Sequence, residues 1–156
     1  MIYHVPNVAK SIERLEYVKA QAKIQLDLAI LVAPALASYK RKSFDGWLER
    51  HLKANLPSGV WVRCTIDYCP QLKVQNQDLN YNYTLSIHHD GSIEKLAENL
   101  QLRIEGLKKE IQDIDNLIPK IPELSAKWAE LATAIDAICN LPSMYAIRDE
   151  FYSVKH

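Results

Sequence analysis

Glycine is scarce in this chain, with four residues in 156. That scarcity argues against glycine-rich phosphate loops and against a turn-dense all-β fold, since both depend on residues free to take positive φ. Cysteine is rarer still. Cys64, Cys69 and Cys139 leave one thiol over in any disulfide scheme, so a reduced, cytoplasmic setting is the simpler expectation. Cys64 and Cys69 are separated by four residues rather than two, and no second pair follows, which removes the zinc-knuckle and thioredoxin-like motifs. No uninterrupted apolar run reaches the length of about 18 residues that a bilayer requires. The most apolar stretch, 26–37, is interrupted by Asp27 and Pro34, and no membrane span is expected. The start, Met-Ile-Tyr-His-Val-Pro, lacks the basic residues and apolar core of a secretory leader. No GxSxG, HExxH, Walker A or GxGxxG string occurs, so neither enzymatic activity nor a cofactor is expected.

Net charge is also lacking: 19 Lys and Arg balance 19 Asp and Glu. The balance hides an asymmetry. Residues 1–63 carry ten basic side chains against five acidic ones, and residues 64–156 carry nine against fourteen. A dipolar distribution of this kind can steer charged partners, although solvated charge near a helix junction is the more frequent origin of such a pattern.

What is present is helical periodicity. Within 92–139, apolar residues recur at Ile93, Ala97, Leu100, Ile104, Leu107, Ile111, Ile114 and Ile118, in the steps of three and four that line one helix face. Ser92 supplies an N-cap after the turn-forming Asp90-Gly91 pair, and Pro119 should stop the helix near Ile118. A shorter seam then runs through Leu124, Trp128, Leu131, Ile135 and Ile138. Two seams across a short proline-bounded joint predict an antiparallel helical hairpin over 93–139.

Earlier in the chain, 6–38 reads as one long helix, with Asn7 as cap and Pro34 as an internal kink or stop. Ile24, Leu28, Ile30, Leu31 and Val32 widen its apolar face, which predicts a segment enclosed on most sides. A short helix over 44–55 should follow Ser43, with Trp47 at core spacing. Alternation of Val60, Val62, Cys64, Ile66 and Tyr68 with Trp61, Arg63, Thr65 and Asp67 predicts a strand. Tyr81, Tyr83, Leu85 and Ile87 predict a second, antiparallel to the first. Between them 69–80 reads as a long polar connection, with 72–75 available to extend one arm. The segment 143–152 is open between helix and strand, helix being favoured. The expected fold is therefore α+β and helix-dominated: a long N-terminal helix and a C-terminal antiparallel helical hairpin packed with a small antiparallel β-ribbon over 60–88, in a single domain spanning 1–156.

Two constellations carry candidate chemistry. His88-His89-Asp90 brings together metal-ligating types, but neighbours on a strand face opposite ways, and Asp90-Gly91-Ser92 has a full explanation as turn and cap; no metal site is expected. The basic run Lys40, Arg41, Lys42, Arg50 and Lys53, with Trp61 and Arg63, has the composition of a macromolecular contact surface. It suits another protein as partner, and alternatively nucleic acid, where Trp47 or Trp61 would stack on a base. The helical seams also permit a homodimer.

The order of elements, with Glu94-Lys95-Leu96 through Ile111, then Ile114-Asp115, Leu124, Trp128, Leu131 and the ending 145–152 (Tyr-Ala-Ile-Arg-Asp-Glu-Phe-Tyr), resembles small accessory proteins of phages and mobile elements of Gram-positive bacteria. Some anti-CRISPR proteins are similar in following a strand pair with such a helix. The resemblance is one of layout and covers about the last hundred residues. It implies a non-catalytic inhibitor that binds a bacterial defence nuclease, and assigns no residue a role. Zero net charge departs from the acidic, DNA-mimicking type of inhibitor.

Overall fold

The computed structural model describes residues 7–41, 46–65, 70–77 and 85–139, apart from the side chains of Asp136, Ile138 and Cys139. Lys42, Ser43, Cys69 and the 143–152 element lie outside those residues. In order the chain forms α1 (Val8–Ala37), α2 (Gly46–Asn55), β1 (Val60–Thr65), β2 (Gln71–Asn76), β3 (Leu85–His88), α3 (Ile93–Leu117), a 3₁₀ turn (Ile118–Lys120) and α4 (Ile121–Cys139). The fold is α+β: a long N-terminal helix, a small three-stranded antiparallel sheet and a C-terminal helical hairpin of α3, the 3₁₀ turn and α4. The chain divides into two compact units, Tyr17–Ile114 on one hand and Met1–Glu16 with Asp115–His156 on the other.

The 17–114 unit holds the main core. Leu28, Ala29, Val32, Ala35 and Leu36 of α1 meet Leu48 and Leu52 of α2, the sheet residues Val62, Leu72, Val74, Leu85 and Ile87, and Leu96, Leu100 and Ile104 of α3. The α3 face agrees with its sequence periodicity except at its start, where Leu96 is buried and Ala97 exposed. Arg103 of α3 donates to Gln25 Oε1 of α1 at 2.7 Å. Asn7 Oδ1 accepts the Lys10 backbone N–H at 3.0 Å, the N-cap bond expected of α1. Ser92 Oγ does the same for Lys95 at the head of α3, at 3.1 Å.

Three features of this unit differ from the sequence reading. First, the sheet has three strands in the order β1-β2-β3. The strands bounding 60–88 are not neighbours: β2, inside the supposed connection, lies between them, with Val62 opposite Val74 and Leu72 opposite Ile87. Leu72 and Val74, both fully buried, are the only apolar residues in Gln71–Asn76, too few to stand out among polar neighbours. Secondly, α1 is enclosed on one side only, since Ile30 and Leu31 are 49% and 42% exposed. Pro34 does not end it; the helix continues to Ala37 because the missing donor falls at an exposed position. Thirdly, α1 is by length and composition apolar enough to cross a membrane. Counting uninterrupted runs missed this, because isolated charges such as Asp27 leave the surrounding stretch apolar on average. A third of that stretch is buried within the protein, where it forms the α1 wall of the core.

In the other unit, the chain keeps right-handed helical dihedrals on both sides of the 3₁₀ turn, at Leu117 (φ −81°, ψ −42°) and at Ile121 (φ −58°, ψ −45°). Along α4 the predicted seam is exposed at Leu124, Trp128 and Leu131 and half-buried at Ile135, whereas Ala132 is buried and Ile121, Ser125 and Ala129 are half-buried.

Candidate functional site

The basic residues around 40–53 come together on an aromatic ring. On α2, Leu48 and Leu52 are fully buried, and Leu56 just beyond its end is nearly so; this four-residue spacing fixes which side of the helix meets the core. Trp47 is rotated off that side and is 53% exposed, contrary to the core position its spacing suggested. The Arg41 guanidinium carbon lies 5.1 Å from the Trp47 ring centroid and that of Arg50 lies 5.0 Å from it. Each such contact contributes about 0.5–1 kcal/mol at an exposed site. Arg50 follows Trp47 by three residues, so the helix itself sets one contact. Arg41 is brought in by the connection after α1, which sequence spacing alone does not reveal. Lys40 is exposed. Lys53 pairs with Glu49 at 3.1 Å, which offsets its charge.

Trp61 and Arg63 lie on the outer face of the sheet. Val62 points into the core, so its neighbours along β1 face outward. In register beside them stand Gln75 and Lys73 of β2, and beyond Lys73 stands Ser86 of β3, while His88 lies further along β3, opposite Gln71. Among the described residues, the sheet strands contain no carboxylate. Arg63 sits directly opposite Lys73, a like-charge pairing that mildly destabilises a sheet.

His51, His89 and Cys64, among the side chains best suited to reactive chemistry, are engaged structurally. His51 Nε2 lies 2.8 Å from Ser38 Oγ and 3.0 Å from the Ala35 carbonyl oxygen. A carbonyl only accepts, so Nε2 carries the proton and cannot take one from Ser38. Instead His51 and Ser38 together close the carbonyl end of α1. His89 is buried, with its Nε2 3.1 Å from the Thr65 carbonyl and its Nδ1 accepting the Gly91 N–H at 3.0 Å. Both nitrogens are engaged, neither is open to a metal, and burial above all pushes the imidazole pKa down. His88 faces the other way, to solvent. Hydrogen bonds from the Ser92 hydroxyl and backbone hold the Asp90 carboxyl below its usual range, the backbone bond measuring 3.0 Å. Burial, and secondarily Glu49, pushes the Cys64 thiol up to about 12, which makes it a poor nucleophile. Among the described residues, no three His, Cys, Asp or Glu side chains gather as a metal site would need.

No protein-family model, curated protein or solved structure matches this chain.

Proposed function

We propose that the protein acts by binding another protein rather than by catalysis, with Arg41, Trp47 and Arg50 at the centre of its contact surface. The observation that carries this reading is a half-exposed indole held within 5.1 Å of two guanidinium groups. Trp and Arg supply most of the energy at protein interfaces. Two guanidinium groups gathered at one ring favour a partner that presents an acidic face. The similarity in layout to phage-borne accessory proteins makes a bacterial RNA-guided defence nuclease the first partner to assay, with this chain as its inhibitor. A cytoplasmic setting accords with the unpaired Cys64 and with the α1 face that packs into the core.

A nucleic-acid reading draws on a different observation, the carboxylate-free sheet face with Trp61, Arg63, Lys73 and His88. It ranks second because the Trp47 ring is already engaged by two cations and residues 64–156 carry an excess of five acidic side chains.

The test is co-purification with defence-nuclease complexes, and inhibition of their cleavage, by the wild type and by a double Arg41→Glu, Arg50→Glu variant. Capture and inhibition should be lost in the variant. A wild type that neither binds nor inhibits any such nuclease removes that partner. Retention of DNA or RNA at low salt, falling linearly on a log–log salt plot and abolished by Lys73→Glu, would instead establish the second reading.

A further inference from the structure

The unit formed by Met1–Glu16 and Asp115–His156 contains a predominantly apolar groove of about 480 Å³. Its apolar walls are Leu15 of α1 and Leu117, Ile121, Leu124 and Trp128. That volume lies in the range of small-molecule sites. Leu124 and Trp128 are 50% and 39% exposed, so a ligand would displace water from apolar surface that the fold itself leaves wet. The polar part of the lining is sparse and of one sign: Arg14 is its single charged residue, with Ser11 and Ser125 the two hydroxyls. Ser11 and Arg14 are three residues apart and share one face of α1. The neighbours of Arg14 at three and four residues are Lys10, Ser11, Tyr17 and Val18, so α1 offers it no carboxylate. None of the ion pairs among the described residues involves Arg14, and Glu123 of α4 is taken by Lys127 at 2.9 Å.

We infer that the groove binds a single-chain alkyl carboxylate, with the chain along the apolar walls and the head group on Arg14 and the Ser11 hydroxyl. The lining selects this class against its neighbours. A polar ligand would gain nothing from five apolar side chains, and a cationic one would meet Arg14. An alkyl phosphate brings a charge of about −1.5 to −2 to a groove with one cation, whereas a carboxylate matches it in charge and in the forked geometry of its two oxygens. A neutral chain would leave the guanidinium without an acceptor. The inference does not rest on the Arg41–Trp47–Arg50 reading.

Titration calorimetry on the full chain tests it, using octanoate, decanoate and dodecanoate below their micelle-forming concentrations. One equivalent should bind, with Kd falling about two- to fourfold for each methylene added. Decanol should bind about fivefold more weakly than decanoate, the worth of one exposed ion pair. Arg14→Gln should erase that difference by weakening decanoate alone, and Leu124→Glu, at an exposed position, should abolish decanoate binding. In a Trp47→Phe, Trp61→Phe variant Trp128 is the one indole left, and a bromine-labelled decanoate should quench it. A wild type that binds neither decanoate nor dodecanoate overturns the inference. So does decanol binding as tightly as decanoate, binding that survives Leu124→Glu, or binding that leaves Trp128 unquenched.

Discussion

His89 occupies its place as a neutral ring: Nε2 donates to the Thr65 carbonyl and Nδ1 accepts from the Gly91 backbone. A second proton would have to sit on Nδ1, where the Gly91 N–H already points. Burial lowers the folded-state pKa below the ordinary 6.5, partly countered by Thr65 and Asp90 and reinforced by His88. The unfolded chain therefore takes up a proton first as pH falls. The His89 contribution is complete above pH 6.5 and is lost as pH drops from there through the folded-state value. Urea denaturation across that window should give a midpoint that declines on acidification, and His89→Gln should flatten the decline. A midpoint in the wild type that held constant or rose would contradict the hydrogen-bond assignment. The sequence showed His88-His89-Asp90 only as potential ligands; the capping role of His89 depends on Thr65, a strand away, which local spacing does not encode.

At the scale of elements, what was legible is what local physics dictates. The α3 seam from Leu100 to Ile114, the caps Asn7 and Ser92, and the turn at Asp90-Gly91 each follow from side chains within a few residues of one another. The β2 strand was not legible, because its identity comes from two buried residues and from pairing on both sides. Trp47 failed for a related reason: its spacing fits the core, but Leu48 and Leu52 take the inner face of α2. Glycine separates local from tertiary control within one element. Gly106 lies inside α3 with open space where a Cβ would sit, so Gly106→Ala should stabilise the protein by about 0.8–1 kcal/mol through helix propensity alone. Gly91 also has open space but holds φ at +93°, so Gly91→Ala should destabilise it by about 1–2 kcal/mol. Chemical denaturation of the two variants should give shifts of opposite sign; equal signs would mean that available space, and not backbone conformation, governs both.

For the whole molecule, stability is unevenly shared. Among the described residues, every buried apolar side chain except Ala132 belongs to 17–114, and the core cluster lies entirely there. α4 therefore relies on few internal apolar contacts, and local opening should release it well before the main core. Native-state hydrogen exchange should find the slowest amides in α1 from Leu28 to Leu36, in α2 and in the sheet, with α4 exchanging at lower opening free energy. Protection in α4 that matches the core would mean that its exposed leucines are not what limits its stability.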